Sequence, residues 1–314
     1  MRGDPTFTVV MPAYNTATTI ASSIESALAQ TLDDFELVIV DDASTDDTLA
    51  VAERYASDTR VRMVTRPHSG LAATRNAALE VARGRYVSLL DSDDLWMPQY
   101  LEVMCETLDD HDDAGFAYTD AWVIDDRTRR IRRTTAMEPA RPPLPPPEDP
   151  FVFFTEMLRR NFVYIGVTIR RRALDDVGPF NADLLSSEDY ELWLRMLAHG
   201  YRGVRAPGTL GLYRLRKEAL SADPLWMSEW ALRVYAGLAA DETLPDRFRG
   251  PLRERLAEAK LNHAALVRLI ASRQALFGLR PRLGRVRRRL FWRKEWREAP
   301  PPELTAVFPD LEAL

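Results

Sequence analysis

Short apolar runs that end in polar residues recur along the first hundred residues of the chain. Four of them are rich in β-branched residues and predict strands: FTVVM at 7–11, FELVIV at 35–40, VRMVT at 61–65 and YVSLL at 86–90. Between these runs apolar residues recur at helical spacing, as with Ile20, Ile24 and Leu28. Such alternation with short connections is typical of an α/β domain, in which helices flank a mostly parallel sheet.

The pattern becomes less regular after a helix predicted from Pro98 to about Leu108. Short strands are predicted at Phe116–Tyr118, Trp122–Ile124, Val163–Ile169, Arg202–Ala206 and Thr209–Tyr213, the last two at a sheet edge. Seven prolines between residues 139 and 150 make that segment stiff and extended. We favour a surface loop there over a ligand for an SH3-type domain.

The chain divides into an α/β part and a helical appendage. We expect an α/β domain over 1–215, with halves at about 1–110 and 111–215, followed by a helical C-terminal region over 216–314. No run approaches the roughly 18 apolar residues of a membrane span, and the N-terminus has no signal-peptide pattern. A cytoplasmic location is therefore expected.

Charge is distributed unevenly between these parts. The segment 272–297 contains ten Lys or Arg and one Glu, a local net charge of +9, whereas the whole chain carries −5, which leaves about −14 elsewhere. Interleaved leucines and aromatic residues make the segment compatible with a helix lying on an anionic membrane. Packing against the acidic main body and a dimer contact are the alternatives, and no nucleic-acid partner is expected.

Paired acids follow two of the predicted strands. Asp41 and Asp42 end the second strand, and Asp91, Asp93 and Asp94 end the fourth. Because open α/β sheets bind ligands at the carboxyl ends of their strands, these side chains are expected to share one crevice. The spacing of Asp91 and Asp93 suits Mg²⁺ or Mn²⁺ that is also held by substrate phosphates. The alternative is a solvated acidic turn before the next helix.

Five segments, in this order along the chain, resemble those of the family 2 inverting glycosyltransferases, which have the GT-A fold. They are VVMPAYN at 9–15, VDDASTDDT at 40–48, GLAATRNAAL at 70–79, RGRYVSLLDSDD at 83–94 and SEDYELWLRM at 187–196. The resemblance covers about the first 215 residues. It implies transfer of a sugar from a nucleotide-diphosphate donor, uridine being the commonest nucleotide in the family, to a glycan or lipid-linked acceptor in cell-surface polysaccharide or glycoconjugate synthesis.

The resemblance also implies a donor site. Asp93 matches the direct ligand of Mn²⁺ or Mg²⁺, and Asp91 matches a contact to ribose or to metal-bound water. The turn with Pro12, Tyr14 and Asn15, together with Asp42, is expected to hold base and ribose, since a carboxylate can accept the uracil imide N–H. Arg75 is expected to meet phosphate or nucleotide. His68 receives no role.

The acceptor side of the reaction is implied by the last of the five segments. Asp189 matches the catalytic base that takes the proton of the acceptor hydroxyl, and Glu188 is expected to orient hydroxyls. The alternative is a structural role, in which both acids only complement the dipole of their helix. Trp193, one turn further, is either a sugar platform or, as its amphipathic helix favours, part of the core.

One departure concerns the metal site. Many relatives have a histidine a few residues after a Tyr-Arg pair, whereas Tyr213-Arg214 is followed here by Leu215, Arg216 and Lys217. Either Asp93 and the nucleotide alone bind the metal, or Arg216 and Lys217 help to neutralise the diphosphate directly.

Two other functions compete with sugar transfer. A catalytically inactive binding or scaffold protein of the same fold is one. A receiver domain of two-component signalling, with Asp91 as phosphoacceptor, is the other, but in a receiver the acid pair ends the first strand.

Overall fold

An eight-stranded mixed sheet forms the centre of the computed structural model, which describes residues 3–163, 166–216, 222–277, 296–297 and 299–309. The strands are β1 (Phe7–Ala13), β2 (Phe35–Asp41), β3 (Val61–Thr65), β4 (Tyr86–Leu89), β5 (Leu95–Trp96), β6 (Ala114–Asp125), β7 (Val167–Arg170) and β8 (Arg202–Leu215). The helices are α1 (Ile20–Leu28), α2 (Thr48–Glu53), α3 (Leu71–Val81), α4 (Tyr100–Asp109), α5 (Pro150–Arg159), α6 (Arg171–Val177), α7 (Glu188–Ala198), α8 (Pro224–Ala240), α9 (Asp246–Phe277) and α10 (Pro302–Val307).

The strand order is β3-β2-β1-β4-β7-β6-β8-β5. β1 pairs in parallel with β2 and β4, β2 with β3, and β6 with β8. β7 lies antiparallel between β4 and β6, and β5 is antiparallel to β8. The predicted mostly parallel α/β sheet is therefore confirmed, with β7 joining its two halves.

The sheet is buried on both faces because helices cover each of them. Successive residues of β1 point to opposite sides: Val9 and Met11 pack with Ile24 of α1, whereas Val10 packs with Ala78 of α3. Every residue of β1, β2 and β4 is buried. This explains why these strands are continuous apolar runs in the sequence.

The second half of the sheet differs from the prediction. Phe116–Tyr118 and Trp122–Ile124 belong to one strand, β6, and the two predicted edge strands at 202–206 and 209–213 belong to one strand, β8. The prediction was wrong because register shifts near Asp120 interrupt the periodicity without ending the pairing. β8 also has partners on both sides, β6 and β5.

Element ends differ as well. The helix predicted from Pro98 begins at Tyr100, and the strand predicted from Val163 begins, within the described part, at Val167. The proline-rich segment contains only a 3₁₀ turn at Glu138–Ala140 before α5 begins at Pro150, as expected for a loop.

The described part of the C-terminal region is mostly helical, as predicted. α9 packs against α8 and inserts Phe248 and Leu252 into the main core. Most of the basic segment 272–297 lies outside the described residues, but Trp296 is buried and the Arg297 amide donates to the Ile131 carbonyl oxygen at 2.8 Å. None of the helices in the described ranges has the length and hydropathy needed to cross a bilayer.

Candidate active site

The polar ends of β1, β2 and β4 lie at one edge of the sheet because the three strands are parallel neighbours. Ala13 pairs in register with Asp41, and the Asp42 amide donates to the Ala13 carbonyl oxygen at 2.9 Å. The amide of Leu90, next to Asp91, donates to the Val10 carbonyl oxygen at 3.0 Å. The predicted convergence of strand ends on one crevice is thus present.

Asp42, which we expected to contact the nucleotide base, already has its oxygens occupied. It is buried, and its carboxylate accepts hydrogen bonds from the backbone amides of Ser69 and Gly70, both at 3.0 Å. His68 Nδ1 lies 2.9 Å from Asp42 Oδ2, and Arg66 Nε lies 3.8 Å from Oδ1. Asp42 therefore fixes the loop between β3 and α3, and its contact with base or ribose stays a prediction.

The neighbouring carboxylate of Asp41 has one oxygen without a hydrogen-bond partner within the described residues. Asp41 is buried at the end of β2, and its Oδ2 accepts from the Ser44 amide at 3.1 Å. Within the described residues its Oδ1 has no hydrogen-bond partner. A buried carboxylate oxygen without a partner is costly unless a ligand supplies a donor. Asp41 is therefore a second candidate, beside Asp42, for a ligand contact at this edge of the sheet.

The turn after β1 presents one aromatic ring to solvent. Tyr14 is 44% exposed and stacks on His68, with ring centroids 4.4 Å apart. Pro12, by contrast, is buried within β1 behind the turn, and its contact with the nucleotide stays a prediction. Asn15 has a left-handed φ of 52° and its Oδ1 accepts from the Thr45 amide at 2.8 Å, which ties the turn to the loop after β2.

Arg75 joins the two halves of the domain. It is buried on α3, its Nη2 lies 2.7 Å from Asp91 Oδ1, and its Nη1 forms an ion pair with Glu188 at the start of α7. Although burial alone would lower it, the pKa of Arg75 is raised by Asp91 and Glu188. Arg75 was expected to meet phosphate; the structure shows it bound to two carboxylates.

Asp93 and Asp94 are each paired with an arginine of the segment that ends β8. Arg216 Nη1 lies 3.0 Å from Asp93 Oδ2, and the Arg214 backbone amide donates to Asp94 Oδ1 at 2.9 Å. Burial raises the pKa of Asp93 and that of Asp94, and the charges of neighbouring acids, Asp91 among them, add to both shifts. The arginines therefore do not fully offset the cost of the negative charge in the loop after β4.

This loop fits a divalent cation that is also bound by a substrate. Asp91 and Asp93 supply hard oxygen ligands two residues apart, and their side chains are 41% and 24% exposed. In the described part of the chain, no group of three or more His, Cys, Asp or Glu side chains is arranged to hold a metal ion. The remaining ligands would have to come from diphosphate oxygens and water.

Asp189 lies close to this loop. It shares the lining of a small cavity of about 20 Å³ with Arg75, Asp91 and Asp94. Burial raises the pKa of its carboxyl, the Asp91 charge raises it further, and Arg75 opposes both. A carboxylate with a raised pKa is a better proton acceptor than one with the ordinary value.

Two side chains beside Asp189 are buried. Glu188, expected to orient hydroxyls, is buried in its ion pair with Arg75, and burial raises its pKa to about 7. Trp193 is fully buried, with its ring centroid 5.1 Å from that of Phe116, which favours the core interpretation over a sugar platform. Ser187 precedes α7 with a left-handed φ of 63° and makes no capping side-chain hydrogen bond.

Comparison with known proteins identifies the family. The model of glycosyl transferase family 2 matches residues 8–177. The chain belongs to this family. It is 32% identical to the putative glycosyltransferase EpsE of Bacillus subtilis over 227 residues, which cover 70% of this chain and 76% of EpsE. The enzyme is therefore a glycosyltransferase, and the resemblance noted in its sequence is confirmed.

Two further similarities extend this result. The glycosyltransferase is 29% identical over 218 residues, 68% of its length, to UDP-Glc:alpha-D-GlcNAc-diphosphoundecaprenol beta-1,3-glucosyltransferase WfaP of Escherichia coli, covering 79% of that protein. The mannosyltransferase PcManGT from Pyrobaculum calidifontis, solved with GDP-Man and Mn²⁺, matches its fold with a TM-score of 0.59. That match covers 87% of this chain and 80% of PcManGT at 22% identity, so it supports the GT-A fold alone.

Three residues at the site of the glycosyltransferase were missed or left without a role by sequence reasoning: Asp41, His68 and Arg214. Asp41 ends β2 and His68 lies in the loop that follows β3, and their polar character was the only signal. Arg214 is buried, and its Nε donates to the Asp93 carbonyl oxygen at 2.7 Å. That contact spans 121 residues of sequence, which no local pattern indicates.

Proposed function

We propose that this glycosyltransferase moves a sugar, with inversion at the anomeric carbon, from a nucleotide-diphosphate sugar to an acceptor hydroxyl. The observation that carries the proposal is the position of Asp189, a half-buried carboxylate with a raised pKa, which lines the same small cavity as Asp91 and Asp94 of the acidic loop. An inverting transfer needs a base on one side of the anomeric carbon and charge stabilisation of the leaving group on the other.

Each group then has a chemical task. Asp189 takes the proton of the acceptor hydroxyl while that oxygen attacks the anomeric carbon and the bond from this carbon to the β-phosphate oxygen breaks. A divalent cation, Mn²⁺ or Mg²⁺, held by Asp93 and Asp91 would supply Lewis-acid neutralisation of the departing diphosphate. Arg75 fixes Asp91, and through Glu188 it also fixes the beginning of the helix that carries Asp189.

The donor is proposed to be a uridine nucleotide. Asp41 Oδ1, which has no partner within the described residues, is suited to accept the imide N–H of uracil. The exposed Tyr14 ring, stacked on His68, offers a face for the base. WfaP is named for a UDP-Glc donor, whereas PcManGT was solved with GDP-Man, so guanosine is the alternative that the experiment must include.

The acceptor is proposed to be a glycan or a lipid-linked glycan in cell-surface polysaccharide synthesis, at the cytoplasmic face of a membrane. WfaP is named for a diphosphoundecaprenol-linked acceptor, and the segment 272–297 carries a net charge of +9. We expect the chain to co-sediment with anionic vesicles and not with neutral ones. Replacing Arg287, Arg288 and Arg289 by Gln should weaken this binding; unchanged binding would overturn the membrane proposal.

Release of nucleoside diphosphate from a panel of UDP-, GDP- and dTDP-sugars tests the proposed activity. With or without acceptor, the wild-type chain should release one nucleotide in preference to the others, and Asp189→Ala should remove that release. An Asp183→Ala variant, which changes an exposed acid of the preceding loop, is the matched control. Release that persists in Asp189→Ala would contradict the proposed base.

A further inference from the structure

The end of β8 brings an arginine onto the acidic loop that follows β4. Arg216 Nη1 lies 3.0 Å from Asp93 Oδ2, and the two side chains are only 20% and 24% exposed. The pair is held in place by Arg214, whose amide donates to Asp94 Oδ1 at 2.9 Å and whose Nε donates to the Asp93 carbonyl oxygen at 2.7 Å. Arg216 is therefore anchored beside Asp93 by its own backbone segment and is not a surface side chain that meets Asp93 by chance.

The oxygen that Arg216 contacts belongs to the carboxylate proposed to hold the divalent cation. A cation bound at Asp93 would meet the guanidinium charge at close range, and Coulomb repulsion in a partly buried site is strong. Arginine keeps its charge at all relevant pH values, so this repulsion is relieved only if Arg216 moves or gains another anionic partner. A diphosphate is such a partner, because the guanidinium fork matches phosphate oxygens.

We propose that Arg216 competes with the divalent cation for Asp93 and transfers to the donor's diphosphate, so that cation and nucleotide bind with positive coupling. The inference rests on the proposed function. It adds a residue that couples cation binding to nucleotide binding. By linkage, the factor by which nucleotide strengthens cation binding equals the factor by which cation strengthens nucleotide binding. Arg216 acts through Asp93 and the diphosphate and is a positioning residue.

Binding of Mn²⁺ to the full chain, measured from the paramagnetic resonance signal of the free ion, tests this without any turnover. Arg216→Gln should bind Mn²⁺ alone roughly threefold to tenfold more tightly than the wild type, since the competing charge is gone. With UDP present, the wild type should gain more Mn²⁺ affinity than the variant does. Arg216→Lys, which keeps the charge, should behave like the wild type.

Arg202→Gln is the matched control. Arg202 begins β8, the strand that Arg216 follows, is similarly shielded at 22% exposure, and pairs with Asp113 at 2.9 Å, away from the acidic loop. This variant should leave Mn²⁺ binding and its coupling to UDP unchanged.

Asp93→Asn tests the metal site separately from the role of Arg216. Loss of Mn²⁺ binding in Asp93→Asn with unchanged binding in Arg216→Gln would overturn the role of Arg216 and leave the proposed metal site intact. Wild-type Mn²⁺ binding in Asp93→Asn would instead overturn the metal site on which the inference rests. A change in melting temperature of Arg216→Gln with no change in Mn²⁺ affinity or coupling would show a structural ion pair only and would also overturn the inference.

Discussion

Arg75 and Glu188 form a buried ion pair between α3 and the beginning of α7, elements that lie 113 residues apart in the sequence. Each side chain is at most 5% exposed, and Arg75 also binds Asp91. The pair thus connects the loop proposed to bind the donor with the helix that carries the proposed base. We expect disruption of this ion pair to lower both the stability of the fold and the rate of catalysis.

Removing one partner of this pair should be costly. Arg75→Met at pH 8 should lower the free energy of unfolding by about 3–5 kcal/mol, because the Glu188 charge is left buried without a partner. The double variant Arg75→Met, Glu188→Gln should recover part of that loss, because the buried Glu188 charge is removed as well. Urea denaturation measures both. Arg85→Met, which breaks the half-exposed pair with Asp109, should cost no more than about 1 kcal/mol.

Stability should also depend on pH through Glu188. Burial raises the pKa of its carboxyl from an ordinary value of 4.5 to about 7, so the folded protein binds this proton more tightly than the unfolded chain does. The contribution of Glu188 is complete below pH 4.5 and is lost as pH rises to about 7, so the free energy of unfolding falls over that window.

The comparison with Glu188→Gln isolates this effect. The difference in unfolding free energy between the wild type and the variant should fall by roughly 1–3 kcal/mol from pH 4.5 to pH 7. A difference that does not vary with pH would show that Arg75 keeps Glu188 ionised throughout.

Asp189→Asn keeps the shape of the side chain and removes its ability to accept a proton. The rate of sugar transfer should fall by about 10²–10⁴-fold, whereas UDP affinity should change little. Because burial raises the pKa of Asp189, the wild-type rate should decline with falling pH at a higher pH than an ordinary aspartate would give. A pH profile of kcat/KM checks this, and an acidic limb near pH 4 would contradict it.

Asp41 and Asp42 should have separable effects, although they are adjacent. Asp41→Asn should weaken UDP binding roughly fivefold to tenfold, because it replaces a charged acceptor by an amide, whose oxygen accepts more weakly and whose nitrogen is a donor. Asp42→Asn should mainly lower the melting temperature, since its carboxylate holds the Ser69 and Gly70 amides. Calorimetric titration with UDP and a thermal melt on each variant distinguish the two, and the reverse pattern would restore Asp42 as the base contact.

The sequence was sufficient for the first half of the fold because β1, β2 and β4 are buried on both faces and leave continuous apolar runs. It was insufficient for β6 and β8, where register shifts near Asp120 break the periodicity within a continuous strand. Strand periodicity records which face is buried, and a bulge changes that face without ending the strand.

At the site, the sequence indicated the carboxylates but not their partners. It could not decide between Asp41 and Asp42, because the deciding contacts come from the loop at Ser69 and Gly70, 27 and 28 residues away from Asp42. It suggested Arg216 as a cation for the diphosphate, whereas the contact with Asp93 spans 123 residues. Hydrogen-bond and ion-pair partners that tertiary packing brings together cannot be predicted from periodicity in the sequence.

Thermal stability of the wild type and of Asp93→Asn against UDP, GDP and dTDP, each with Mn²⁺, with Mg²⁺ and with EDTA, tests the donor site most directly. Ligand that binds only the folded state raises the melting temperature by mass action. A rise with one nucleotide that requires the cation and is lost in Asp93→Asn is the predicted result. No rise with any nucleotide, or a rise that survives both EDTA and Asp93→Asn, would contradict a metal-dependent nucleotide-sugar site at this edge of the sheet.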